Sequence, residues 1–119
     1  MNLTIKKFQK TNAKRSPLMY SICGKWGLSD WSNKLTEELG EVAKEVSQVR
    51  IGKVKQSDNE FRERIGRELA DVVTTATLMC NYLELDLEEF LVTKFNEKST
   101  KENVDVFLWK TTQNLHIMI

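Results

Sequence analysis

The chain has 119 residues and a formal net charge of +1, with 40% hydrophobic and 29% charged residues. That length supports one domain with a modest core, and the near-neutral charge argues against a nucleic-acid duplex as partner. No stretch is long and apolar enough to cross a membrane, and the single proline, Pro17, suits a helical protein.

In chain order, "MNLTIKKFQK" has no apolar h-region of the kind a signal peptide carries. Residues 4–15 form a short helix with Ile5, Phe8 and Gln9 on one side. The bases Lys6, Lys7, Lys10, Lys14, Arg15 and Lys25 all precede the first acid, Asp30. Such a basic segment suits either an ordinary charged helix or a cover over a neighbour's acidic cleft. Residues 16–27 read as a connector punctuated by Gly24 and Gly27. Ser29 or Asp30 caps a second helix that runs to about Arg50. Its stripe is Leu35, Leu39, Val42, Val46 and Val49, and Gly52 ends it. Ser57 and Glu60 make the S-x-x-E capping box of a third helix. Phe61, Ile65, Leu69, Val72, Ala76, Met79 and Leu83 point inward from it, and the β-branched run "DVVTTAT" stays helical. Asp86 and Glu89 start a fourth helix, with Leu85 and Phe90 spaced as a hydrophobic staple. That helix buries Leu87, Phe90, Leu91 and Phe95. Cys23 and Cys80 lie far apart with no CxxC and read as reduced thiols of a cytosolic protein, Cys80 in the core.

The acids are less ordinary. "EELGEVAKE" (37–45) crowds Glu37, Glu38, Glu41 and Glu45 into little more than two turns, and "RELADVVTT" (67–75) repeats the figure with Glu68 and Asp71. Like charges three and four apart repel on a helix. At 100° per residue, Glu38 and Glu41 flank the second helix's stripe, and Glu68 and Asp71 flank the third's. If the stripes pack together, four carboxylates converge at one edge. A divalent cation would relieve the repulsion, and all-oxygen donors favour hard Mg²⁺ or Mn²⁺. The only histidine, His116, lies in the tail, which argues against iron of the Glu-x-x-His kind. The competing reading is a solvated acidic face.

"EELGE" followed by "ELAD" resembles the E-x-x-E…E-x-x-D signature of the MazG-like all-α nucleoside triphosphate pyrophosphohydrolases, a superfamily that includes dimeric dUTPases and dCTP pyrophosphatases. "TIKKFQKTNAKRSP", "LSDWSNKLTEELGEVAKEV" and "LDLEEFLVTKFNEKS" are similar to the short stand-alone branch found in phages and bacteria. The resemblance covers roughly residues 4–108. It implies an all-α bundle and hydrolysis of a nucleoside triphosphate to monophosphate and pyrophosphate in the cytoplasm, a host's if phage-encoded. Carried over, Glu38, Glu41, Glu68 and Asp71 hold Mg²⁺, for which Mn²⁺ can substitute. Glu37 is a candidate base or outer ligand, Glu38 is catalytic as well as a metal ligand, and Lys94, Asn96 and Lys98 face the phosphates. The alternative for the last three is a solvated helix end. Trp31 either stacks on a base or sits in the core.

The expected fold is a single MazG-like domain over 1–119, an all-α bundle completed as a homodimer or homotetramer. Three long apolar stripes in so small a chain leave surface to cover. Residues 109–119 form an atypical extension whose Trp109, Leu115, Ile117 and Ile119 should pack on the bundle or on another subunit. Two other functions remain open: a non-catalytic helical module that keeps the fold, and a phosphohydrolase of another nucleotide such as a phosphoribosyl-ATP.

Overall fold

The computed structural model describes residues 2–19, 25–110 and 115–118. Four helices dominate them: α1 (Ile5–Arg15), α2 (Leu28–Arg50), α3 (Asn59–Tyr82) and α4 (Leu87–Lys101). A short 3₁₀ turn, Ser16–Leu18, follows α1. The strands β1 (Phe107–Lys110) and β2 (Leu115–Met118) pair antiparallel, Phe107 opposite Met118 and Lys110 opposite Leu115. The sequence reading gave the extension no strands. Its expected packing through Leu115 and Ile117 concerns side chains outside the described set, and Ile119 and Cys23 lie outside the described residues altogether. Trp109 is half exposed.

The helix ends explain themselves. Thr4 caps α1 by accepting from the Lys7 amide at 3.1 Å, and Asp86 caps α4 by accepting from the Glu89 amide at 3.4 Å. Two expected caps shift by one to three residues. Gly27, not Ser29 or Asp30, begins α2, because the Asp30 carboxylate reaches back to accept from the Gly27 amide at 2.8 Å. An acid that does this sits in the first turn. Asp58, not Ser57, begins α3. A turn closes behind it, in which the Lys55 amide donates to the Asp58 carboxylate at 2.9 Å. At the other end of α2, Gly52 takes φ +81°. There the Lys53 amide donates to the Gln48 carbonyl and the Gly52 amide to Val49, a Schellman ending. Glu84 ends α3 and Asn103 ends α4 in the same left-handed conformation.

The run 71–77 is helical as expected. Thr74 and Thr77 donate their hydroxyls to the carbonyls of Ala70 and Val73 at 2.9 and 2.8 Å, which satisfies Thr77 in full burial.

Helices α2 and α3 run antiparallel. Trp31 packs on Leu78, Glu38 lies with Asp71, and Glu45 pairs with Arg64 at 3.0 Å, so one partner's number falls as the other's rises. Helix α1 crosses the far end of this pair. Its Gln9 donates to the Leu85 carbonyl at 2.6 Å, accepts from the Leu87 amide at 3.0 Å, and takes a bond from Asn81 at 3.1 Å.

The facing sides differ in phase from the expected stripes. The buried residues of α2 are Trp31 and Glu38, and those of α3 are Phe61, Thr75, Thr77 and Leu78. Leu39 and Leu69 are each about half exposed, at 52% and 50%, and Val46, Val73 and Leu83 are also exposed. Leu35, Val42, Val49, Ile65, Val72, Ala76, Met79 and Cys80 are half-buried. Helix α4 departs further. It meets α1 and β1 through a side that buries Glu88 and Ser99. Phe90, Leu91 and Phe95, expected inside, are exposed, as is Leu85 of the expected staple; Leu87 is half-buried. Periodicity located the apolar sides, but among the described residues no other element covers the exposed rows.

The chain is open. Its radius of gyration is 17.1 Å, against about 13.5 Å for a compact domain of this length. Its accessible surface is 9139 Å², where a compact monomer of 13.8 kDa exposes roughly 6,600 Å².

Candidate metal centre

The antiparallel pairing of α2 and α3 places Glu38 opposite Glu68 and Asp71. One carboxylate oxygen from each lies within 4.8 Å of the others. Glu38 is buried, Glu68 half-buried and Asp71 exposed, so the cluster runs from the seam to the solvent. The Glu68 carboxyl is held above its ordinary value, first by desolvation at the seam and then by the negative charges of Glu41, Asp71, Glu38 and Glu45. Glu41 is therefore an electrostatic neighbour of the cluster, although it is exposed and its carboxylate lies outside the 4.8 Å group. The cation paired with the cluster among the described residues is Lys34. Its ammonium lies 3.2 Å from Glu38 Oε1 and 3.3 Å from Glu37 Oε1. The bond to Glu38 is the main cause that raises the Lys34 ammonium above its usual value.

Could these residues hold a metal ion? Octahedral Mg²⁺ with bonds of about 2.1 Å sets its ligand oxygens roughly 3 to 4 Å apart. Three oxygens within 4.8 Å of one another are about an ångström wider than that spacing. The donors are all hard oxygens, with no imidazole or thiolate in the group. The set suits a hard cation and not a soft one.

Beside the cluster lies a cavity of about 270 Å³. Glu38 and Asp71 form its acidic wall, Arg15 and Lys34 its basic one, and Trp26 and Trp31 an aromatic one, with Thr74, Thr75 and Leu78 filling in. The two indoles meet edge to face, centroids 4.9 Å apart at 62°. Trp31 sits in the core, one of the two places the sequence offered, and its edge also lines the cavity. Arg15 donates to Asn12 Oδ1 at 3.2 Å, so α1 aims it from the buried Asn12.

The other sequence candidates lie elsewhere. Lys94 and Lys98 are exposed on α4 and pair with Glu97 and Glu102 at 3.6 and 3.0 Å. Asn96 is committed to the strand: its amide donates to the Leu108 carbonyl at 2.7 Å and accepts from the Leu108 amide at 2.8 Å. None of the three lines the cavity. Glu37 is exposed and reaches the cluster only through Lys34. The sequence reading missed Lys34, and it gave Arg15 only as part of a basic segment suited to a neighbour's acidic cleft, not to this chain's own cavity. Lys34 was legible in principle, four residues before Glu38 on the same side of the helix. Arg15 was not, since only the crossing of α1 brings it there.

The model of the MazG nucleotide pyrophosphohydrolase domain matches residues 29–107. The comparison with curated proteins returned no match. The matched span holds both acid-bearing helices and α4, and it leaves out α1 and nearly all of the hairpin. Facing helices that join Glu38 to Glu68 and Asp71, within a match over about two thirds of the sequence, lead to one conclusion: the chain belongs to the MazG nucleotide pyrophosphohydrolase family.

Proposed function

We propose that the protein hydrolyses a nucleoside or deoxynucleoside triphosphate to the monophosphate and pyrophosphate with Mg²⁺, for which Mn²⁺ can substitute. The carrying observation is the meeting of Glu38, Glu68 and Asp71 within 4.8 Å beside a cavity that also offers cations and indoles. In this reading the three acids, with Glu41 alongside, hold the metal. When bound, the ion neutralises phosphate charge and activates water. Arg15 and Lys34 bind phosphate oxygens, the work charge-assisted hydrogen bonds do well. Trp26 and Trp31 exclude water from the apolar end of the cavity and offer a surface to the base. Water's oxygen bonds to phosphorus as the bridge between the monophosphate and the pyrophosphate breaks. Glu37, outside the three-acid cluster, is the proposed acceptor of the water's proton.

The same proposal includes a homodimer or higher assembly. The exposed rows Leu39/Val46 and Leu69/Val73, together with the surplus accessible area of roughly 2,500 Å², match what a stable subunit interface buries.

Phosphorus NMR of the purified chain with Mg²⁺ and each common nucleotide, without added pyrophosphatase, tests the chemistry. Pyrophosphate should grow in step with monophosphate. Accumulating diphosphate and free phosphate would overturn the reading. Silence with every nucleotide, in a folded chain that does not bind Mn²⁺, would favour a non-catalytic module.

A further inference from the structure

We infer that Lys34 is a built-in counter-ion of the site: it holds Glu38 while the metal is absent and passes to substrate phosphate when a divalent cation takes Glu38. This rests on the metal-site reading above. Glu38 is only 8% exposed and faces two more carboxylates. A buried carboxylate in that company needs a positive charge nearby. Among the described residues Lys34 supplies it, at 3.2 Å, and neither Glu68 nor Asp71 has an ion-pair partner of its own. The ammonium sits on Oε1 of Glu38, in the carboxylate that also belongs to the three-acid group. Lysine and metal therefore compete for one carboxylate.

Displacement does not send the ammonium into open solvent. Lys34 lies on the cavity wall with Arg15, and its side chain is about one third exposed. Its four-carbon stem lets the charge turn from Glu38 toward an anion in the cavity without moving the helix. Glu37, exposed at 3.3 Å, gives the ammonium a second holding point during the exchange. A lysine is cationic at neutral pH without any help from its surroundings, so the charge is available in both positions.

The test is Mn²⁺ titration of the full chain by calorimetry, without nucleotide, for wild type, E38Q, K34Q and K34R. A metal-saturated titration with a non-hydrolysable nucleoside triphosphate analogue follows. K34Q should bind Mn²⁺ about threefold to tenfold tighter than wild type, the scale of removing one partly exposed competing charge. It should bind the analogue more weakly by a similar factor. K34R keeps the charge and should stay near wild type in both. Equal or weaker Mn²⁺ binding by K34Q, with wild type binding and E38Q impaired, overturns the counter-ion role but leaves the site. Analogue binding unchanged in K34Q overturns the hand-over to phosphate. K34R behaving like K34Q shows that packing, not charge, is responsible and overturns the inference. No Mn²⁺ binding by wild type, or equal binding by E38Q, removes the site and the inference together.

Discussion

Asp71→Asn removes one of the three carboxylates that meet between α2 and α3 and keeps the side chain's shape. Two opposite effects follow. Without metal, the variant loses the repulsion between Asp71 and Glu38, whose oxygens lie within 4.8 Å. Two unit charges at that separation interact by about 0.9 kcal/mol in bulk water and more in a less polar medium. Asp71 is exposed and Lys34 offsets part of the charge on Glu38, so the low end applies, and the metal-free variant should gain up to about 1 kcal/mol. A domain of this length shifts its melting point by roughly 4 °C per kcal/mol. With metal the order reverses. Wild type at one hundred times its dissociation constant gains about 2.7 kcal/mol, or roughly 10 °C. Asp71→Asn at the same Mn²⁺ concentration should gain less than about a third of that. Chelator-treated protein is melted across a Mn²⁺ series, with circular dichroism to confirm that both chains are helical. A Mn²⁺-induced rise in the variant equal to that in wild type would show that Asp71 is not a ligand.

Three other substitutions probe separate parts of the structure. The Glu68 carboxyl titrates above its unfolded value, so its stabilising protonated form is fully present below the unfolded value and is lost as pH rises through the folded one. Metal-free stability should therefore decline from mildly acid toward neutral pH, and Glu68→Gln should flatten that slope in pH-dependent denaturant melts; an unchanged slope would contradict the cause given. Leu39→Glu places a charge on a half-exposed apolar row. Covering the remaining half of a leucine stabilises by about 1 to 1.5 kcal/mol, and the proposed twofold interface would count it twice, so if that interface covers this row its dimer affinity should fall by about a hundredfold or more in sedimentation once charge burial is added. Glu84 sits at φ 56°, where L side chains are strained, so Glu84→Gly should raise stability by about 0.5 to 1 kcal/mol in urea melts. A loss there would mean that the Glu84 side chain holds the α3–α4 turn.

Much of this structure was legible in the sequence, and the reasons differ by element. The helices were legible because Gly52, Asp86 and the apolar spacing mark local boundaries that need no partner. The acid pairs were legible because residues three apart share a side of any helix. The phase of packing was not: Leu39 and Glu38 differ by one residue, and only the partner decides which turns inward. An apolar row looks the same in sequence whether another helix of its own chain or another subunit covers it. The short hairpin was illegible for a related reason. Its strands are four residues each, and β1 is fastened to α4 by Asn96, a residue the sequence reading had placed either at the phosphates or on a solvated helix end. Arg15 reaches the cavity only through the docking of Gln9 on the α3–α4 turn, which no local spacing encodes.

The antiparallel pairing of α2 and α3 dictates where the chain tolerates a change of length. Trp31 with Leu78, Glu38 with Asp71 and Glu45 with Arg64 are rungs between two straight rails. The turn at residues 51–58 carries none of those rungs. Residues added at its exposed tip lengthen the bridge and leave every rung in place, at an entropic cost that grows only slowly with length. One residue added inside α2 between Glu38 and Glu45 turns the two halves of the helix about 100° against each other. Either Glu38 then leaves its two partners or Glu45 leaves Arg64. Insertions should therefore be accepted in the turn and rejected between the rungs, although both segments lie on the surface.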